Sequence, residues 1–156
     1  MTTSHLAELL RYAQEHIGPA ADRQSGFITT YFENTDPDEI VARGSATLFA
    51  LANAHWRLLD APRPAQGVTV RVCNPTLAED GFVCDHTVVQ IVNDNMPFLV
   101  DSVTMAINRG NRTAHWIVHP LMSVARDADG RIAAVSSVAA DKAAKQENLV
   151  ESLILV

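Results

Sequence analysis

A chain of 156 residues with 47% hydrophobic content is long enough to bury one compact core, or a small domain with a helical appendage, so disorder throughout is excluded. The formal charge of -6, from 12 Lys and Arg against 18 Asp and Glu, leaves no basic footprint for a polyphosphate backbone, and nucleic acid is not an expected partner. The N-terminus lacks the basic start and apolar core of a signal peptide, and no apolar run approaches the roughly 20 residues of a membrane span, so a cytoplasmic chain with no membrane partner is expected.

The first sixty residues read as helices. Leu6, Leu9, Leu10, Ala13 and Ile17 recur at helical spacing, and Gly18-Pro19 supplies a stop. A second apolar cluster, Phe27, Ile28, Tyr31 and Phe32, ends before Thr35-Asp36-Pro37, a start signal for the next helix because proline's missing N–H is harmless in a first turn. In the third segment Ser45 can cap, and Phe49, Ala52, Trp56 and Leu59 share one face until Pro62 and Pro64 break it; these aromatics read as packing. The run "APRPAQG", residues 61–67, is a stiff connector.

Composition then changes to strands. "VTVRVCNP" alternates, with Val68, Val70 and Val72 on one face and Thr69, Arg71 and Cys73 on the other. "HTVVQIV", from His86 to Val92, is apolar on both faces and should be a central strand covered on at least one side. A helix follows in which Pro97 lies near the first turn, Leu99, Val103, Ala106 and Ile107 form a buried stripe, and Gly110 is the left-handed terminator. Next comes a hairpin from Thr113 to Val138, a long strand "TAHWIVHPLMSVA" and "RIAAVSSV" joined by the turn "RDADG". "AADKAAKQENL" reads as an exposed helical turn or loop and "ESLILV" as a strand. From His86 the order strand, helix, strand, strand is three quarters of a βαββαβ unit, the ferredoxin-like arrangement in which helices cover one face of an antiparallel sheet.

Few residues offer chemistry. His115 and His119 flank "WIV", but along a strand they lie roughly 13 Å apart and one zinc cannot reach both. Asp127 to Gly130 resembles the start of a calcium loop, yet its glycine comes too early and no closing glutamate follows. No glycine-rich phosphate loop occurs, and no nucleophile is placed beside a base. Cys73 and Cys84 form no CxxC pair and read as free thiols in or beside strands. The junction of strand and helix remains. There Asn93, Asp94 and Asn95 meet free backbone N–H groups at a helix start, which suits the carboxylate of a small ligand, while Asp94 and Asp101 would attract its amino group. The plainer reading is that the Asx residues cap the helix and turn the chain.

"DHTVVQIVNDNMPFLVDSVTMAINRG" followed by "HWIVHPLMSVARDADGRI" resembles the N-terminal region of the very large bacterial NAD-specific glutamate dehydrogenases. "AHWRL", "VRVCNP" and "ESLI" extend that likeness over most of the chain. In that family the region resembles an ACT module, a βαββαβ regulatory domain that often binds amino acids where its first strand meets its first helix. The resemblance implies an α+β fold: a helical N-terminal segment over residues 1–61, a connector with one strand over 62–85, and a truncated, ACT-like antiparallel sheet with one covering helix over 86–156. It implies a non-catalytic regulatory or assembly piece of an enzyme that oxidatively deaminates L-glutamate with NAD, the NAD and catalytic sites lying downstream and no cofactor being bound here. The expected ligand residues are Asn93, Asp94, Asn95, Met96, Pro97, Phe98 and Asp101. Phe98 stands where amino-acid-binding ACT modules usually carry glycine, and a large side chain there should crowd the pocket. A free-standing sensing or protein-interaction module of the same fold is the alternative. The expected partners are the rest of the parent enzyme, an amino-acid ligand, and further copies of the chain, joined through a sheet edge and apolar surface left without partners by truncation.

Overall fold

The computed structural model describes residues 2–17, 21–63, 67–139 and 149–156. Four helices come first: α1 (Thr2–His16), α2 (Ala21–Phe32), α3 (Pro37–Arg43) and α4 (Ser45–Asp60). The expected stop at Gly18-Pro19 lies outside the described residues. Asp36 does start a helix, its carboxylate accepting from the Asp38 N–H at 2.9 Å with Pro37 in the first turn. Ser45, however, is the first helical residue rather than the cap. Gly44, at φ 74°, takes the cap position and separates α3 from α4 with a backbone angle that a side chain would strain.

The remaining elements are β1 (Thr69–Cys73), the short α5 (Leu77–Asp80), β2 (Val88–Asp94), α6 (Leu99–Arg109), β3 (Leu121–Arg126), β4 (Ile132–Ser137) and β5 (Leu149–Leu155). They give one antiparallel sheet in the order β1-β2-β5-β3-β4. The α+β class with N-terminal helices and an open antiparallel sheet therefore holds. β2 is central as expected, flanked by β1 and β5. β5 lies between β2 and β3, so among the described residues the open edges are β1 and β4.

The helical layer packs on one face of this sheet. Leu9, Phe27, Ile28, Phe32, Leu48 and Leu59 bury themselves against a core that includes Val92, Met122, Leu153 and Leu155, each large side chain contributing about 1.5–3 kcal/mol. Half-buried Phe49 and Trp56 pack against the same core, as read from their spacing. Two polar seams fix the register of helix on sheet. The His55 imidazole, wholly buried, bonds the Ile91 carbonyl through Nε2 at 3.0 Å and the Tyr31 hydroxyl through Nδ1 at 2.7 Å, and Gln90 Nε2 donates to the Leu51 carbonyl at 3.2 Å. Burial pushes the His55 pKa down to about 4 and the Tyr31 pKa up, so both groups are neutral and the hydroxyl donates to a bare ring nitrogen.

Three local readings need correction. Gly110 is not left-handed: its φ is -78°, and Asn111 takes the positive angle at 55°, as a short amide side chain tolerates. The long strand from Thr113 shrinks to β3, because Pro120 has no N–H to give a ladder and only Val118 bridges Leu155 upstream of it. The apolar stripe of α6 is not buried. No residue of α6 is, and Ala106 is exposed, because the helix stands off the sheet over a cavity instead of packing on it. The hairpin turn is as expected, with Asp127 Oδ1 accepting from the N–H groups of Asp129 and Arg131, both at 2.9 Å, and Gly130 at φ 78°. The segment 140–148, read as a helical turn or loop, lies outside the described residues.

Candidate functional site

The junction begins where β2 leaves the sheet. Asn93 and Asp94 pair with Ser152 and Glu151 of β5, and the Asn95 N–H reaches the Val150 carbonyl at 3.0 Å. Met96 and Pro97 follow on the surface. Phe98 then occupies the position before α6 with φ 64° and its ring outward, 76% exposed, so that the first helical residue is Leu99. No side chain caps α6. The Asx residues therefore do not act as caps, and the first turn keeps its backbone donors, with Asp101 exposed beside them.

Asp94 turns the other way, into a network that sequence reasoning missed. Arg63 Nη2 donates to Asp94 Oδ1 at 2.6 Å and lies 3.2 Å from Glu151 Oε1. Glu151, fully buried, also accepts Arg126 Nε at 2.8 Å on Oε1 and Arg126 Nη2 at 3.0 Å on Oε2, a fork-on-fork pair. Arg126 goes on to the Gly130 carbonyl at 2.6 Å and the Leu59 carbonyl at 2.8 Å. Two cations and two carboxylates thus cancel, tying β2, β3 and β5 to the connector, the hairpin turn and the end of α4. Arg63 Nε is buried without a hydrogen-bond partner among the described residues. A signal existed: Glu151 is the one charge in the apolar run "VESLILV", and a buried carboxylate demands a cation.

The seven expected ligand residues are therefore split. Asn95, Met96, Pro97, Phe98 and Asp101 lie on the surface, Asn93 is half-buried in the sheet, and the Asp94 carboxylate is held by Arg63. Elsewhere, His119 Nε2 meets Ser152 Oγ at 2.6 Å, a hydroxyl beside an imidazole whose pKa burial lowers, but Ser152 is wholly buried and out of reach of substrate. His115 does not join His119; its ring lies 4.4 Å from that of His86. Cys73 and Cys84 are both free thiols. Among the described residues no group of three or more His, Cys, Asp and Glu side chains is placed to hold a metal ion, and no helix is long and apolar enough to cross a membrane.

The unrecognised α5 settles Arg71. Thr76 Oγ1 caps it by accepting from the Glu79 N–H at 3.3 Å, and Asp80 accepts Arg71 Nη2 at 2.5 Å and the Thr76 N–H at 3.0 Å. Desolvation raises the Asp80 carboxyl, but the Thr76 N–H and the Arg71 guanidinium outweigh it and hold the group below the usual carboxylate range. Arg71 faces the helical layer for this reason. The valines of the same strand face away, Val68, Val70 and Val72 remaining 58%, 53% and 63% exposed.

Residues 27–156 match the family model for the glutamate dehydrogenase ACT1 domain. The chain is 34% identical over 122 residues to an NAD-specific glutamate dehydrogenase of Pseudomonas aeruginosa, covering 76% of this chain and 7% of that protein. It is 27% identical over 135 residues to an NAD-specific glutamate dehydrogenase of Halomonas elongata, covering 83% of this chain and 8% of that protein. The chain thus spans less than a tenth of the length of these curated relatives. No solved structure matches it. With the helix-then-sheet architecture and the "NDNMPFLVDSV" junction in place, the match over residues 27–156 assigns the chain to the glutamate dehydrogenase ACT1 domain family.

Proposed function

We propose that this chain is a non-catalytic regulatory and assembly segment of a cytoplasmic, NAD-dependent glutamate dehydrogenase, whose parent reaction converts L-glutamate to 2-oxoglutarate and ammonia. Membership of the ACT1 family supports the parentage. The observation that carries the assembly role is the β1 edge, which among the described residues offers an unpaired ladder side and three exposed valines on the face opposite the N-terminal helices. Antiparallel pairing of two β1 edges about a two-fold axis satisfies those backbone groups and covers Val70 and Val72 of each copy, for about 1 kcal/mol per half-exposed valine. NAD and glutamate are handled by the remainder of the parent enzyme, and this segment binds no cofactor.

The test is the full-length enzyme carrying Val70→Glu with Val72→Glu. The expected result is weakened assembly with kcat per assembled protomer held within about twofold. A kcat collapse in enzyme that remains fully assembled would place this edge in the catalytic machinery and sink the reading.

A second reading, an amino-acid-sensing module, draws on the uncapped start of α6 with Asn95 and Asp101 exposed beside it. Its test is a thermal-shift screen against amino acids, in which a specific rise lost on Asp101→Ala supports sensing and a flat screen removes it.

A further inference from the structure

The apolar stripe of α6 that fails to reach the sheet leaves a cavity of about 920 Å³, at the upper end of the range of small-molecule sites. Val103, Ala106 and Ile107 form one wall, and Val89 and Ile91 of β2 face them, with Phe82 closing one side. The rim carries one guanidinium without a carboxylate partner among the described residues. Arg112 reaches only the Gly110 carbonyl, at 3.5 Å, and pairs with no carboxylate among the described residues. The Arg43 guanidinium lies over the Trp116 ring, 3.9 Å from its centroid, while its Nη1 pairs with Glu39. The imidazoles of His86 and His115 sit on the same rim. No Asp or Glu side chain of the described residues lines the cavity, although acidic residues outnumber basic ones in the chain by 18 to 12.

From this apolar interior and the unpaired Arg112 guanidinium at its rim, we infer that the cavity between α6 and the sheet binds an amphipathic monoanion, an apolar chain ending in a carboxylate. The tail lies between the α6 stripe and β2, where it covers apolar surface that α6 leaves uncovered, and the carboxylate meets Arg112 at the rim. An amino acid fits this cavity less well, because its ammonium group would sit beside the Arg112 guanidinium with no acidic side chain of the described lining to receive it. The site is separate from the Asn93–Asp101 junction, and the inference does not rest on the enzyme to which the chain belongs.

Three probes of one chain length separate the charge requirements: octanoate, 2-aminooctanoate and octylammonium, titrated calorimetrically into this chain. Octanoate is expected to bind one to one with a negative heat-capacity change, 2-aminooctanoate at least about tenfold more weakly, and octylammonium not measurably. Arg112→Gln should weaken octanoate about fivefold, the scale of a solvent-exposed ion pair, and Ala106→Trp should abolish binding by filling the cavity. Ala106 is exposed, so the circular dichroism of that variant should match the parent chain, and Arg112→Gln gives an independent reading if it does not. Absence of octanoate binding, equal binding of octylammonium, or binding unchanged by both substitutions overturns the inference. So does octanoate that acts only by converting a dimer to monomer in sedimentation, which would assign the cavity to a second copy of the chain.

Discussion

Glu151→Gln removes one charge from the centre of the ion network with almost no change of shape, and the structure sets the size of the result. Glu151 is wholly buried, and the cations that converge on it, Arg63 and Arg126, have side chains only 4% and 14% exposed. The substitution leaves Arg63 with Asp94 alone, leaves Arg126 with no carboxylate among the described residues, and turns an amide N–H₂ toward donors. Breaking a buried pair on one side costs about 3–5 kcal/mol, and here the upper half of that range applies because Glu151 pairs with two arginines at once. For a domain of this size each kcal/mol moves the melting temperature by about 2–4 °C, so a fall of about 10–15 °C is expected. Urea denaturation followed by circular dichroism should show a lower midpoint with the slope unchanged. The triple variant Arg63→Met, Arg126→Met, Glu151→Leu should recover much of the loss, since apolar replacement of a whole buried network is often neutral. If Glu151→Gln lies within about 1 kcal/mol of the parent chain, the value of a surface pair, the network does not hold the sheet together as described.

Other consequences follow from single side chains. His55 is neutral when folded, with a pKa lowered to about 4, and titrates near 6.5 when unfolded, so the unfolded chain binds the extra proton first: stability should fall as pH drops from 6.5 to 4, by about 3 kcal/mol in all, and His55→Leu should flatten that slope in denaturation series. Asp80 has a depressed pKa, so its contribution is present above the ordinary carboxylate value and is lost as pH falls through the lower folded value; Asp80→Asn should cost about 1–3 kcal/mol at neutral pH by chemical denaturation and remove that acid step. Phe98→Gly should stabilise the chain by about 0.5–1 kcal/mol, because the ring is exposed and the backbone angle of 64° suits glycine; a destabilised variant would mean the ring has a contact that holds it.

Much of the fold was legible because its signals are local. The stripe of Leu9 and Ala13, the Asp36-Pro37 start, the alternation of β1 and the Asp127–Gly130 turn each report a backbone geometry through nearby residues. The central place of β5 has no such signature, since its neighbours β2 and β3 are decided by packing across the chain. Periodicity located α6 but could not tell a stripe that packs from one that faces a cavity. The junction was legible as a strand-to-helix turn but its pairing was not: Asp94 looked available because Arg63 belongs to a proline-rich connector and Glu151 to a distant strand, and no spacing joins the three. Alternation in β1 likewise named both faces without revealing that the valines point to solvent and Arg71 to the helices.

The assembly role is tested most directly by sedimentation velocity of this chain at rising concentration, alone and with Val70→Glu and Val72→Glu together. A concentration-dependent dimer is expected that the paired glutamates return to monomer, with the helical signal unchanged. A parent chain that stays strictly monomeric at high concentration, or a dimer indifferent to both substitutions, contradicts it.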